Sequence, residues 1–304
     1  MEETLRTGPA KARRRSRLRR IKPGEILIVI IITALCASCI LPFVHLLAKS
    51  LSSNSAVLAK QVTLWPLGLN LDAYNSVIRD GQLTYSLGYT VMVTVIFTAL
   101  GMVVTVCAAY PLSKKRLKGR VFFATMIMLT MYFSAGLIPQ YLLYKQLNLI
   151  DKMWVLILPL MFSPYNMLIM KSYFQSNIPD SLEESAFLDG ANNIQILFRI
   201  VLPLSKPILA TLALFYAVGR WNAYADAKYF ITTKRLQPLQ YLLSNMILNS
   251  TSDAVSLSES AEIRSTPEVL QAAMTIFTVF PILVVYPFVQ RYFVKGVMIG
   301  AIKG

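Results

Sequence analysis

PDSLEESAFLDGANNIQILFRIVLPLSKP, residues 179–207, is too polar to span a membrane and too strongly patterned to be a linker. Ser181 and Glu184 have capping-box spacing, the hydroxyl accepting from the Glu184 amide while the carboxylate reaches back to the cap amide. A helix is therefore expected over 181–188. Asp189-Gly190 closes it after about two turns, because glycine takes the left-handed conformation at a helix C-terminus without a Cβ penalty. A second helix is expected over 191–202, ended by Pro203, and Pro207 sits just inside the next apolar run. The unit is thus a short helix, a glycine turn and a second helix, held between two hydrophobic segments.

The chain around this unit has 304 residues, 55% hydrophobic and 15% charged, with a mean hydropathy of +0.54. That balance is too apolar for a soluble domain and marks a polytopic membrane protein. A net charge of +15 would suit nucleic acid, but its placement argues otherwise. Nine of the 30 Lys and Arg precede residue 23 and five more lie within 111–120; clusters beside apolar runs mark the cytoplasmic face. Membrane lipids, through anionic headgroups, are the expected contact of Arg13, Arg14, Arg15, Arg17, Arg19 and Arg20, with no nucleic acid.

Cys36 and Cys39 form a CxxC inside an apolar run, where packing within a transmembrane helix is expected, as for Cys107. His45 is the only histidine and cannot make a metal site alone. The first apolar run is too long for a cleavable signal and lacks a small-residue cleavage site, so it is expected to stay as an anchor.

Six spans are expected, at 26–47, 86–110, 121–144, 153–170, 207–221 and 269–290, the first of them long enough at about 1.5 Å per residue to cross the hydrocarbon core. Pro42 is expected to bend the first near its outer end. Residues 64–78, with Trp65, Leu67, Leu69, Leu71 and Tyr74 broken by Pro66, Gly68 and Asn70, read as interfacial or re-entrant. Gly136 and Pro139 in the third span, and Pro159 and Pro164 in the fourth, are breakers tolerated where freed backbone groups face protein or water. Residues 222–265 read as a long outer loop, in which Asn249-Ser250-Thr251 is a chance sequon. Ser265 with Glu268 forms a capping box, with Pro267 in the first turn, that opens the last span. With both termini cytoplasmic, 20 of the 30 basic residues fall inside, as the positive-inside rule requires. The domain plan is a basic tail at 1–25, a six-helix membrane domain at 26–290 and a C-terminal tail at 291–304.

None of these spans contains Asp or Glu, which disfavours an ion-coupled carrier. No G-x-x-x-x-G-K-[ST] phosphate loop is present, so any ATP is bound by another polypeptide and energy arrives through a protein contact. A membrane-embedded enzyme or sensor, the alternative class, lacks a cluster of His, Cys or carboxylates at the membrane surface.

Glu184-Ser185-Ala186, Asp189-Gly190-Ala191, Phe198, Ile200, Leu202-Pro203 and Pro207 resemble the EAA loop of permease subunits of bacterial ATP-binding cassette importers, in the carbohydrate-uptake group. Ser185 departs from the usual Ala, but both are small. The resemblance extends to Gly136-Leu137-Ile138-Pro139, to Trp221-Asn222 and to the ending QRYFVKGVMIGAIKG, similar to that of permeases for complex oligosaccharides, and covers most of the chain from Gly24 onward. It implies an all-α membrane protein of six transmembrane helices with the type I importer fold, in the bacterial cytoplasmic membrane. In that family the short helix is the coupling helix, which docks in a cleft of the ATPase. Glu184, Ser185, Ala186, Leu188, Asp189, Gly190, Ala191 and Pro203 are then the coupling residues, with Leu188 and Ala186 as apolar contacts and Glu184 and Asp189 as capping or pairing groups. The implied partners are a second, different permease chain, an ATPase dimer that holds ATP and Mg, and an external substrate-binding protein. This chain is expected to bind no cofactor and to be no enzyme. The implied cargo is a carbohydrate, an oligosaccharide, with a non-sugar cargo as the alternative.

Sugars are held by aromatic faces stacked on their C–H surfaces and by amides and hydroxyls. Tyr132, Gln140, Tyr165, Asn166, Tyr216, Trp221 and Asn222 are of suitable type within or near the spans, though each also reads as interfacial girdle or interhelical packing.

Overall fold

A computed structural model describes residues 23–79, 81–252 and 266–301; the basic tail over 1–22, the cap residue Ser265 and residues 302–304 lie outside the described residues. Every regular element among the described residues is helical. α1 (Pro23–Ser50) opens on a proline, with Glu25 in its first turn and Lys49 in its last complementing the helix dipole. Two short helices follow, α2 (Asn54–Leu58), capped by the Ser53 hydroxyl, and α3 (Asp72–Arg79). His45 Nδ1 lies 2.6 Å from the Thr63 carbonyl and ties the intervening loop to α1. Trp65 and Leu69 in that loop are exposed.

The central element is α4 (Gln82–Ser113), whose 32 residues extend about 48 Å at 1.5 Å per residue. Beyond it the expected third span is two helices, α5 (Arg120–Leu129) and α6 (Leu137–Gln146), separated by 130–136. Gly136 caps α6 at φ +83°, so the breaker read in the sequence divides the span outright. The expected fourth span begins as a 3-10 turn, Met153–Leu156, and becomes helical only at α7 (Pro164–Asn177). Pro164 occupies the first turn of α7, where its missing N–H costs nothing, instead of kinking a longer helix.

α8 (Asp180–Leu188), α9 (Asn193–Ile196) and α10 (Leu202–Leu204) lead into α11 (Lys206–Asn222). A π turn, Leu197–Val201, joins α9 to α10. Pro203 has no N–H for the Arg199 carbonyl and its ring would clash there in an α-helix; the Leu202 amide instead reaches back to the Leu197 carbonyl, widening the turn. The second helix therefore passes Pro203, which was expected to end it, and breaks at Ser205, with an 83° bend into α11. The expected outer loop contains α12 (Ala225–Phe230), a 3-10 turn (Lys234–Leu236) and α13 (Leu239–Ser252). α14 (Pro267–Ala301) is continuous through Pro281 and Pro287 and runs on through residues 291–301.

Among the described residues three helices are long and apolar enough to cross a membrane, Gly24–Ser50, Gln82–Ser113 and Pro267–Pro287, and the bent pair at Ser205 counts as a fourth if taken as one span. α4 packs on α11, α7 and α13, while α14 packs on α1, α11, α13 and α3. Three buried clusters lie along α4: one around its N-terminus with α3, α13 and α14, a middle one with Val155, Leu156, Ile157 and Tyr216, and one around its C-terminus with α7, α8 and Ile196. The apolar window of α1 has no buried residue, and Cys36, Cys39 and Cys107 are free and exposed. Cys36 and Cys39 lie in α1 and Cys107 in α4.

At Gly101 α4 comes close to its neighbours. A Cβ there would sit 2.9 Å from the Met161 carbonyl oxygen and 3.0 Å from the Tyr216 ring. Backbone cannot swing aside as a side chain can, so Gly101→Ala is expected to cost about 1–3 kcal/mol. Thermal unfolding of the purified chain should show a lower midpoint, and an unchanged one would mean that the helices separate freely at this point.

Candidate functional site

The segment read first forms a rigid angle at one end of the helix bundle. α8 begins at Pro179 in extended backbone, with no side-chain cap; Ser181 lies inside the first turn, and the Ser185 hydroxyl donates to its carbonyl. The Ser181/Glu184 capping box is thus corrected. Asp189 does cap the C-terminus, and Gly190 follows at φ +82°. The Gly190 amide donates to the Phe187 carbonyl at 3.0 Å and the Ala191 amide to the Ala186 carbonyl at 2.9 Å. These are the two bonds of a Schellman motif, with Ala186 and Ala191 supplying the small apolar contact across it. The capping box is two residues beyond the turn: the Asn192 side chain accepts from the Gln195 amide, and Gln195 Oε1 accepts from the Asn192 amide, each at 2.9 Å.

One face of this pair is held and the other is bare. Glu183, Ala186 and Ile196 are buried against α4 and α7, whereas Leu182, Glu184, Ser185, Ile194, Phe198, Pro203 and Leu204 are exposed. Leu188 is 91% exposed. Exposed apolar side chains such as Leu182, Leu188, Ile194 and Phe198 are costly in water and mark a contact surface. Ala186, expected as an outward contact, is turned into the core and closes the turn.

The residues after α4 grip this pair. Lys114 Nζ donates to Glu183 Oε1, with the two side chains only 12% and 7% exposed. Lys115 pairs with Asp180 at 2.8 Å. Arg116 donates to Asn193 Oδ1 and lies 4.4 Å over the Phe187 ring. The hydrogen bond from Lys115, with its charge beside it, holds the Asp180 carboxyl below the usual carboxylate range. Sequence reading missed Glu183 and assigned the work to Glu184. The available signal was a basic run, 114–120, expected on the same side of the membrane as two adjacent acids.

The seven expected pathway residues do not form one site. Tyr132 and Tyr165 are exposed on the surface. Tyr216 is buried and structural: its hydroxyl lies 2.7 Å from Thr105 Oγ1 and accepts from the Ser163 amide at 3.1 Å, joining α11 to α4 and to the start of α7. Asn166 and Trp221 are buried. Gln140 and Asn222 do meet, in a cleft of about 430 Å³ also lined by Tyr144, Tyr224, Asp226 and Tyr229. Beside it Arg220, buried near the end of α11, donates to the Leu156 carbonyl at 2.8 Å and to both carboxylate oxygens of Asp226. This cleft lies at the opposite end of α11 from α8 and α9.

The loop beyond α12 is fixed by Asp151. One of its oxygens accepts from the Thr232 and Thr233 amides at 2.9 and 2.8 Å, and the other from the Thr233 hydroxyl at 2.6 Å. The Thr233 hydroxyl foremost, then its amide, lowers the Asp151 carboxyl below its usual range. A carboxylate whose folded value is depressed stabilises above its unfolded value, so this clasp is intact at neutral pH and is lost below about pH 4. Asp151→Ala should speed amide hydrogen exchange at Thr232 and Thr233 at pH 7, and the wild type should lose the same protection as pH falls through that range. Unchanged exchange in the variant would remove Asp151 from this role.

Residues 121–299 match the family described as the binding-protein-dependent transport system inner membrane component. The chain is similar to the polygalacturonan/rhamnogalacturonan transport system permease protein YtcP of Bacillus subtilis, 41% identical over 267 residues, covering 88% of this chain and 93% of that protein. It is also similar to the protein LplC of the same organism, 38% identical over 265 residues, covering 87% and 90%. Among solved structures it matches a chain of a bacterial ABC transporter involved in the import of the acidic polysaccharide alginate, with a TM-score of 0.81 and 32% identity, covering 89% of this chain and 96% of that one.

Proposed function

Because this chain belongs to the family of binding-protein-dependent transport system inner membrane components, the permease subunits of ATP-binding cassette importers, we propose that it moves an acidic oligosaccharide across the cytoplasmic membrane by alternating access. It is a non-enzymatic, multi-pass membrane subunit of a carbohydrate importer, and ATP is hydrolysed on a separate subunit. The acidic character of the cargo rests on two relatives, one named for a galacturonan, a chain of uronic acids, and one for alginate.

The observation that carries the mechanism is the clasp of Lys114, Lys115 and Arg116 on α8 and α9. The ATPase dimer, with its own ATP and Mg, receives the outward face at Leu188 and Ile194, and its closure displaces α8. The clasp passes that displacement to α4, while the rigid turn at Gly190 passes it through α9 and α10 to α11. α4 and α11 pack on each other along the bundle, so their relative tilt opens one end as it closes the other. We place both termini in the cytoplasm and count six crossings, the broken segments at 130–136 and 157–163 completing two of them where protein or water satisfies their backbone. A second, different permease chain covers the exposed apolar face, and an external binding protein delivers the cargo.

The test is ATPase activity of the assembled importer in proteoliposomes, with its binding protein, against trigalacturonate, a neutral trisaccharide and unrelated solutes. Stimulation by trigalacturonate is expected. Stimulation by the neutral sugar alone would remove the acidic assignment, and stimulation by non-sugars alone would remove the oligosaccharide.

A further inference from the structure

At the end of α4 remote from α8 there is a second cleft, of about 570 Å³, lined by Gly81, Gln82 and Tyr85 from the start of α4 and by Lys234 and Arg235 from the 3-10 turn after α12. None of the expected pathway residues contributes to it. We propose that this cleft is a binding site for the carboxylates of an acidic oligosaccharide at the outer mouth of the permease, an inference that rests on the acidic-cargo reading above.

The chemistry of the lining supports that ligand class. Lys234 and Arg235 are consecutive and exposed, and neither has an ion-pair partner among the described residues. Two other cations towards this end are paired, Lys49 with Glu268 and Arg220 with Asp226. No carboxylate lines the cleft among the described residues. A guanidinium presents a planar fork that matches a carboxylate, and an ammonium beside it adds a second point charge. Tyr85 is 51% exposed and offers an aromatic face to the C–H surface of a pyranose. Gln82 supplies an amide that both donates and accepts, which suits sugar hydroxyls.

The site is also held in shape before any ligand arrives. Asp151 pins Thr232 and Thr233, the two residues before Lys234. Three residues beyond Leu236, the Leu239 amide donates to Thr90 Oγ1 of α4 at 2.8 Å. Leu236 itself packs on the middle cluster. On the other wall, Gly81 at φ +63° starts α4, and its carbonyl accepts from the Tyr85 amide at 2.9 Å. A turn anchored on both flanks keeps its two cations facing one aromatic residue, so little ordering is left for binding to do.

The experiment uses the purified importer, this chain with its partner permease and ATPase, without the binding protein. Titration with trigalacturonate and with maltotriose compares wild type with the double variant Lys234→Gln/Arg235→Gln. The wild type is expected to bind trigalacturonate more weakly as salt rises. The double variant should bind it about ten-fold less tightly, with maltotriose unchanged, and the charge-preserving Lys234→Arg/Arg235→Lys should keep most of the affinity. Equal trigalacturonate binding by wild type and the double variant, or none by wild type, overturns the site. In a second titration, with sugar-free binding protein added, weaker association of the double variant with trigalacturonate binding unchanged assigns the cleft to protein docking and also overturns the site. Failure of the cargo reading is seen separately, as wild-type proteoliposomes that import neutral trisaccharide but no trigalacturonate.

Discussion

Gly190→Val should abolish import while leaving the chain folded. The glycine sits at φ +82°, and a Cβ added there would meet nothing within 4 Å, so the penalty is conformational and not steric. An L-residue in the left-handed region costs about 1–2 kcal/mol, and a β-branched one at that φ is a genuine outlier. That range shifts the turn roughly 5- to 30-fold away from its native angle. The Schellman bonds at Phe187 and Ala186 would be lost with it, and α8 would no longer move as one body with α9. Asn tolerates this conformation. A series at position 190 should therefore rank Gly, Asn, Ala and Val in falling transport per ATP hydrolysed, with similar amounts of assembled complex. Transport by the Val variant at the wild-type rate would show that the angle is not part of coupling, and failure of Asn alongside Val would point to bulk at the ATPase contact.

Glu183→Ala is the second change with a large effect. It leaves the Lys114 ammonium in a nearly buried position without its carboxylate. Removing one partner of a buried pair costs about 3–5 kcal/mol, and the ability of lysine to extend its stem toward water brings this to the lower end of that range. Lys115–Asp180 cannot compensate, because it is an exposed pair of the kind that solvent screening leaves weak. With the clasp loosened, movement of α8 no longer reaches α4, so import should fall while basal ATP hydrolysis persists. The swap of Lys114→Glu with Glu183→Lys should restore part of the loss. Full activity in Glu183→Ala would mean that coupling runs through α11 alone.

The glycine turn was legible because its determinant is local: few residues other than Gly tolerate that φ, and Asp-Gly at the end of a short apolar-patterned helix leaves little choice. Ser181-x-x-Glu184 misled because spacing alone cannot tell a cap from the first turn; extended backbone at Pro179 starts α8 two residues before Ser181. Asn192 and Gln195 satisfy the same rule with less familiar residues. Glu183 was invisible for a different reason: its partner, Lys114, is 69 residues away, and no local pattern distinguishes it from Glu184. The spans divide along similar lines. Long apolar runs at α1, α4 and α14 form continuous helices, the last of them through Pro281 and Pro287, whereas Gly136 and Pro164 stand at helix starts and divide the expected third and fourth spans. Of the expected sugar contacts, Gln140 and Asn222 share a cleft, whereas Tyr216 joins α11 to α4 and to the start of α7 through its hydroxyl, since aromatic and amide types serve packing as readily as binding.

The central claim is that the outward face of α8 is where the ATPase pushes. A photo-crosslinking amino acid at Leu188, the most exposed apolar position of the pair, tests this in the assembled importer in its membrane. The account predicts a crosslink to the ATPase subunit whose yield changes when ATP is bound, and little crosslinking from the same probe at the inward-facing Ala186. A probe at Leu188 that labels only lipid or the partner permease would contradict it.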